Sequence, residues 1–315
     1  MTHSSNITAE AIPVWNALEN ALEQERFPQM LLLDGIPGIG KKLLAMELAK
    51  ILCVHSNEPL IWLIPLDGDA KDRDTPTKID SRTEELSQKF IQNPFHTGYI
   101  TESAIISVGM VENLLKNFEL KASGNRVVII TNADLMNEQS ANKLLKTFEE
   151  VPPNTYFILT AASRHLLLPT IRSRSTCFSV PFASNGEVAR ILTAYGYSAP
   201  TEGILEFAAG SAGKAMLALD SNYLELKEKI ATYANHALSG DASAAILYAQ
   251  EIDKSINTIA FFLEGLALYL LKTNNPEHLV HIQSINFLLR AVLAKKFTTE
   301  HAIQNIALRM AQKEI

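Results

Sequence analysis

The stretch "MLLLDGIPGIGKK", residues 30–42, decides the fold. It begins with a short continuous apolar run, which is typical of a strand buried on both faces of a parallel sheet. Its last eight residues nearly match G-x-x-x-x-G-K-S/T, a glycine loop whose backbone N–H groups cradle phosphate at the start of a helix. The pattern is kept by Gly35, Gly38, Gly40 and Lys41. Lys42 stands where the pattern requires a hydroxyl.

Further strands and helices alternate around this stretch. Helices are predicted over 12–26 and from Lys41 to about Val54, and Ser107 and Asn137 are predicted helix N-caps. Four more runs have the composition of strands, namely IWLIP at 61–65, RVVIIT at 126–131, TYFILTA at 155–161 and CFSV at 177–180. The charged residues 67–82 are predicted to form a solvated loop. The alternation predicts an open, mostly parallel α/β sheet.

The strands stop after Phe182, and three domains are expected. Residues 1–182 form the α/β domain, residues 183–220 a small helical lid domain punctuated by glycines, and residues 221–315 an all-α C-terminal domain of four or five amphipathic helices. A chain of 315 residues is too long for one ordinary core, which agrees with this division.

The composition excludes several classes of protein. The chain is 47% hydrophobic and 20% charged, which indicates a globular protein and not a disordered one. The most apolar stretch, 259–271, contains Glu264 and falls short of the roughly 20 residues that a membrane span needs, so we predict a buried helix. The first residues lack a secretory signal pattern, so a cytoplasmic location is expected. The net charge of -6 disfavours a protein that binds nucleic acid unaided.

The cysteine and histidine pattern predicts no metal site. Cys53 and Cys177 are the only cysteines, and neither belongs to a C-x-x-C pair or a Cys/His cluster. A structural zinc requires four ligands. We therefore expect no zinc and no other metal, and two buried apolar thiols.

The residues needed to hydrolyse a nucleotide are missing at two places. Lys42 cannot ligate magnesium, because an ammonium group has no lone pair. At the end of the strand predicted over 126–131, hydrolysing enzymes of this architecture carry an Asp for magnesium and a Glu that activates water. Here Thr131 and Asn132 take those positions, and neither is a base near neutral pH. We expect Asp134 to be solvated or to cap a helix.

The pattern therefore predicts a degenerate nucleotide site. The loop is expected to be vacant or to bind phosphate alone, so the chain is not expected to be an enzyme by its own site. A glycine turn that binds no ligand at all remains an alternative.

Two arginines in "PTIRSRS", residues 169–175, directly precede the last predicted strand. A guanidinium group here could face a partner, or the stretch could be a solvated loop. Spacing alone favours the solvated loop.

Together with these stretches, "NADLMNEQSANKLLKTFEEVPP" at 132–153 and "GSAGKAM" at 210–216 resemble the clamp-loader branch of the AAA+ ATPases, and most closely the subunits of the bacterial DNA polymerase III clamp loader. The block at 132–153 is highly specific, whereas the glycine loop alone would be a weak signal. The resemblance covers roughly the first 220 residues, and the remaining helices fit the collar domain through which such subunits oligomerise.

The resemblance gives Arg174 a function. In that family a Ser-Arg-Cys motif supplies an arginine finger to ATP bound on the neighbouring subunit. Ser173 and Arg174 match this motif, whereas Ser175 replaces its cysteine. Arg172 is expected to be structural. Lys214 stands where active relatives carry a nucleotide-sensing arginine, and this is a further departure.

The resemblance also implies partners. These are the gamma/tau-type ATPase subunits and the delta subunit of a clamp-loader ring, with the sliding clamp and primer-template DNA contacted through the assembly. No cofactor is required, although a nucleotide or phosphate that is not hydrolysed would fit, and polymerase or nucleotidyltransferase activity would belong to the holoenzyme. Two alternatives stay open, a self-sufficient AAA+ ATPase with relocated magnesium ligands and an anion-binding α/β scaffold whose arginines are surface charges.

Overall fold

The computed structural model describes residues 12, 14–24, 26–68, 74–95, 104–118, 123–253, 255–293 and 297–312, without the side chains of 256, 257 and 293. The N-terminal stretch that lacks a secretory signal pattern therefore lies mostly outside the described residues, whereas the helix predicted over 12–26 is observed at Trp15–Glu23. The chain divides into two compact units. The first comprises 1–201 and 208–216, and the second comprises 202–207 and 217–315. The three-domain division expected from the sequence stays a prediction.

The first unit is built on five parallel strands. The strands are β1 (Met30–Asp34), β2 (Ile61–Leu63), β3 (Arg126–Ile130), β4 (Thr155–Ala161) and β5 (Thr176–Ser179). Their order in the sheet is β2-β3-β4-β1-β5, and every pair is parallel. β1 and β3 are buried along their whole length, as their continuous apolar sequences predict. Because β1 and β3 both run parallel to β4, which lies between them, the loops after β1 and β3 lie at the same edge of the sheet.

Seven helices accompany these strands in the described part of the first unit, and an eighth begins in it. They are α1 (Trp15–Glu23), α2 (Lys41–Leu52), α3 (Pro76–Gln92), α4 (Val108–Lys116), α5 (Glu138–Glu149), α6 (Pro169–Arg174), α7 (Asn185–Ala194) and the first turns of α9 (Ala212–Asp220). α2 packs against β1, β3 and β4. Alternate strand residues form one hydrophobic cluster with side chains of α4, α5 and α6.

Most of the predicted elements are confirmed, and one is wrong. Both predicted caps are confirmed, since the side chains of Ser107 and Asn137 accept hydrogen bonds from backbone N–H groups in the first turns of α4 and α5. The loop predicted over 67–82 is wrong in its second half, because α3 begins at Pro76. Proline at the first position favours a helix start, because its fixed φ suits the helix and its missing N–H is not needed there.

The second unit is helical in its described part. It contains most of α8 (Glu202–Ala208), the end of α9, and five helices α10 (Tyr223–Leu238), α11 (Ala242–Ala249), α12 (Ile256–Lys272), α13 (His278–Leu293) and α14 (Thr299–Ala311). The apolar stretch 259–271 lies in α12, where Ile259, Phe262 and Leu266 are buried, so the predicted buried helix is confirmed. Tyr233 of α10 donates a hydrogen bond to the carbonyl of Ile303 in α14. Across the described residues, no helix combines the length and apolarity needed to cross a membrane.

Candidate functional site

The glycine loop connects β1 to α2 as its sequence predicts. Gly38 and Gly40 have φ angles of 74° and 105°. Both values lie in the left-handed region that residues with a side chain rarely adopt. α2 then begins at Lys41. The strand, loop and helix of a phosphate-binding motif are therefore present.

The chain itself packs against this loop. Ser211 Oγ donates a hydrogen bond to the carbonyl of Pro37 at 2.9 Å, and the N–H of Gly213 donates to the carbonyl of Gly38 at 2.9 Å. A Cβ atom placed on Gly38 would lie 2.6 Å from Ser211 Oγ, and one placed on Gly40 would lie 2.5 Å from Ile12 Cδ1. The space beside both glycines on the side of a Cβ is therefore already occupied by atoms of the same chain.

Lys41 is directed at its own loop. Its Nζ donates hydrogen bonds to the carbonyls of Gly35 and, at 2.8 Å, of Ile36. Burial lowers the pKa of Lys41 to about 8, although the carboxylates of Asp134 and Asp34 oppose this shift. The cation that would balance nucleotide phosphates is thus engaged by carbonyls and carboxylates of the same chain.

Lys42 points away from the loop. Its Nζ lies 3.9 Å from the centroid of the Phe90 ring in α3, in cation–π geometry. Burial, together with the neighbouring charge of Lys41, lowers the pKa of Lys42 to about 7. The Lys42 ammonium therefore contacts an aromatic ring of α3, and it has no lone pair to offer a metal.

Thr131 and Asn132 follow β3 at the same edge of the sheet. Thr131 is fully buried, and within the described part of the chain its Oγ1 has no hydrogen-bond partner. Asn132 adopts a left-handed φ of 48°, and its N–H donates to Thr160 Oγ1 at 3.0 Å. Neither side chain carries a carboxylate, so the position where an active site holds its acidic pair has no base.

Asp134 is not solvated, contrary to expectation. The residue is half-buried and its Oδ1 is fully buried. Burial raises the pKa of its carboxyl group, while the N–H groups of Asp134 and Ala162 and the charge of Lys41 act in the opposite direction. Asp134 lies in the short 3-10 helix Ala133–Leu135, close enough to Lys41 for the two charges to affect each other's pKa.

A second ion pair at this edge was missed in the sequence. Arg164 donates from Nη2 and Nε to Asp34 Oδ1 at 2.7 and 3.1 Å, and Ser179 Oγ also donates to Asp34. These hydrogen bonds raise the pKa of Arg164. The available signal was an aspartate that ends β1 beside polar residues after β4 and β5, because the carboxyl ends of parallel strands meet at one edge.

Arg174 is the last residue of α6 and is exposed. Its Nη1 donates to the carbonyl of Thr170 at 3.0 Å, and its Nη2 donates to Glu149 Oε1 at 2.6 Å. Ser173 is exposed and its hydroxyl donates to the carbonyl of Thr170, whereas Arg172 is half-buried. α6 thus carries the guanidinium of Arg174 to the surface of the unit.

The other predicted positions lie apart from any assembled site. The N–H of Lys214 donates to Ser211 Oγ at 3.1 Å, on the segment that covers the glycine loop. Cys53 and Cys177 are half-buried free thiols, so the expectation that both would be buried is wrong. In the part of the chain that the structure describes, no three His, Cys, Asp or Glu residues are grouped so that they could hold a metal. That zinc is not required stays a prediction.

Comparisons with known proteins give this geometry its context. Residues 11–184, more than half of the chain, match the model of a family described as DNA polymerase III, delta subunit. A DNA polymerase III subunit delta' from Haemophilus influenzae is 41% identical over 101 residues, which cover 31% of this chain and 30% of that protein. The subunit tau of Bacillus subtilis is 24% identical over 296 residues, which cover 90% of this chain and 48% of that protein.

The fold is also seen in a solved structure. A DNA polymerase III gamma subunit-related protein from Thermotoga maritima has a TM-score of 0.52 and 15% identity, covering 94% of this chain and 99% of that one. The expected fold, a parallel α/β domain followed by helices, is confirmed by the sheet order and by this likeness. The chain spans less than a third of the length of the Haemophilus influenzae delta' subunit and of its Escherichia coli counterpart in these matches.

Proposed function

The chain belongs to the DNA polymerase III delta subunit family, as a delta-prime-type member, and we propose that it is a non-hydrolysing subunit of a clamp loader that supplies Arg174 to a neighbour's ATP. The assembly would load the sliding clamp on primed DNA during replication. Its partners would be gamma/tau-type ATPase subunits and a delta subunit, and the clamp and the primer-template DNA would be contacted through the assembly.

The observation that carries this proposal is the position of Arg174. Its guanidinium lies at the surface of the first unit, where it is held by one carbonyl and one carboxylate. Arginine has five N–H donors, so three have no partner among the described residues. Planar N–H pairs suit phosphate oxygens, and a finger of this kind is worth roughly 10³ to 10⁵ in the rate of phosphoryl transfer.

The state of the glycine loop supports the non-hydrolysing part of the proposal. The loop packs against Ser211, Gly213 and Ile12, and Lys41 is engaged by loop carbonyls. These contacts are all made by atoms of the same chain. The site also lacks a metal-binding hydroxyl at Lys42 and a base at Thr131 or Asn132.

The test is a reconstituted ring in which only the ATP site beside this chain remains active. We expect Arg174→Ala to slow hydrolysis at that site by at least ~10²-fold, with assembly measured by size-exclusion chromatography unchanged. Arg172→Ala is the matched control on the same helix, and it should stay within about 2-fold of wild type. Unchanged hydrolysis in Arg174→Ala would refute the proposal.

Lys41→Ala separates the proposal from the rival ATPase. We expect this variant to assemble and to support hydrolysis by the ring as the wild type does, because Lys41 donates its hydrogen bonds to carbonyls of its own loop. Magnesium-dependent turnover by the isolated chain that survives Arg174→Ala and is lost in Lys41→Ala would instead identify a self-sufficient ATPase. An anion-binding scaffold would show neither effect.

A further inference from the structure

Arg174 is held by two different elements of the fold. The Nη1 bond to Thr170 stays within α6, so it constrains the side chain only relative to its own helix. The Nη2 bond to Glu149 Oε1 reaches the last residue of α5. An arginine side chain has four rotatable bonds and loses considerable entropy when it is fixed. The bond to Glu149 therefore orients the guanidinium relative to the rest of the unit.

Glu149 and Arg174 each lie close in the chain to a buried hydrophobic residue. Phe148, next to Glu149, is buried and lies edge-on to Phe157 of β4, with ring centroids 5.1 Å apart. Ile171, one turn before Arg174, is fully buried in the same hydrophobic cluster. The separation of the two backbones is thus fixed by core packing, although the side chains of Glu149 and Arg174 remain 51% and 33% exposed.

The position of Glu149 is also set by the C-terminal end of α5. The helix ends at this residue, and the following sequence Val151-Pro152-Pro153 cannot continue it, because proline lacks an N–H and restricts the residue before it. Glu150, the C-cap residue, is exposed, and no hydrogen bond or ion pair among the described residues joins it to the arginine. Of these two adjacent carboxylates, one therefore contacts the guanidinium and the other is a matched control.

We infer that Glu149 is a positioning residue for Arg174, which orients the guanidinium so that its three remaining N–H donors face a triphosphate bound on the neighbouring subunit. The inference rests on the proposed function. A finger accelerates phosphoryl transfer only when its donors meet the charge that develops in the transition state. Without Glu149 the guanidinium keeps its charge but samples several orientations.

The test uses the same ring with one active neighbouring site. We expect Glu149→Ala to lower kcat for ATP hydrolysis by about 10-fold, less than the ~10²-fold that a 1 Å misplacement can cost, with the KM for ATP unchanged. Glu149→Gln retains an acceptor oxygen and should recover most of the rate. Glu150→Ala should match the wild type. The melting temperature should hardly change, because exposed ion pairs add little to folding free energy.

The double variant Glu149→Ala/Arg174→Ala tests whether Glu149 acts on hydrolysis through the orientation of Arg174. Glu149→Ala added to Arg174→Ala should cause no further loss, because both changes remove one function. Three results would overturn the inference without affecting the proposed role of Arg174. They are a loss of kcat in the double variant that equals the product of the two single losses, a kcat that is unchanged or raised in Glu149→Ala alone, and an equal loss of kcat in Glu150→Ala. If Arg174→Ala itself leaves hydrolysis unchanged, the proposed function and this inference both fail.

Discussion

The glycine loop and the end of α6 lie in the same unit, and each carries a cation with a recognisable phosphate-binding pattern. At the loop, the chain supplies its own partners, so Lys41 is engaged by carbonyls and carboxylates. At α6, two partners hold the guanidinium of Arg174 and the rest of the group is exposed. A motif therefore predicts ligand binding only when the fold leaves its donors accessible.

Arg174→Lys tests the exposed side of this comparison, and it should have the largest effect. Lysine keeps the charge but lacks the planar fork that binds two phosphate oxygens. We expect hydrolysis at the neighbouring ATP site to fall about 100-fold, which corresponds to roughly 2.7 kcal/mol. Single-turnover kinetics on the ring would measure it. If Arg174→Lys retained full activity, charge alone would explain the site and the orientation would be irrelevant.

Gly213→Ala tests the other region of this comparison, the glycine loop against which the chain packs. A Cβ on Gly213 would lie 2.2 Å from the carbonyl oxygen of Phe95 and 2.7 Å from the α-carbon of Gly38, so backbone would have to move. We expect the free energy of unfolding to fall by about 2 kcal/mol, measured by urea denaturation. Gly186→Ala in α7 is the control, since a Cβ there meets nothing within 4 Å. Equal stability of both variants would mean that the segment does not pack on the loop.

The buried lysine makes stability depend on pH. In the folded chain the pKa of Lys42 is about 7, against an ordinary 10.5. Between these values the unfolded chain binds a proton that the folded chain has lost, so the free energy of unfolding rises with pH. Lys42→Met removes this term, and the rise between pH 7 and 9 should shrink by about 2 kcal/mol. Urea titrations across that range measure it, and parallel curves would place Lys42 in solvent.

Ser175→Cys should have the smallest effect and sharpens the comparison with the family motif. Ser175 Oγ donates to the carbonyl of Ile171 at 2.9 Å, inside α6 and away from the guanidinium. A cysteine is similar in size and is a weaker donor. We expect stability within about 0.5 kcal/mol and hydrolysis within about 2-fold of wild type. A larger change in rate would show that the third motif residue also orients the finger.

Strands and helix starts could be predicted from the sequence because their signals are local. The apolar runs of β1, β3 and β4 and the caps Ser107 and Asn137 depend on neighbouring residues alone. The start of α3 was missed, because the charge and turn composition of residues 67–82 is typical of a loop. Proline at the first helical position and the burial of Ile79 favour the helix there.

Some features of the candidate site could likewise be predicted from the sequence, and others could not. Sequence alone identified the loss of the metal ligand at Lys42 and of the base at Thr131 and Asn132, because these are statements about which functional groups exist. It could not predict the bonds from Arg164 to Asp34 or from Glu149 to Arg174, since their partners are 130 and 25 residues apart. Such pairs form only when the sheet and its helices bring distant side chains together.

The sequence by itself determined the α/β architecture and the absence of catalytic groups at two motif positions, because periodicity, turn chemistry and side-chain chemistry are properties of short segments. The tertiary structure decided that the chain packs against its own glycine loop, that Lys42 lies over an aromatic ring, and that the guanidinium of Arg174 is held at the surface. Those outcomes depend on contacts between segments far apart in the chain, and packing alone sets their geometry.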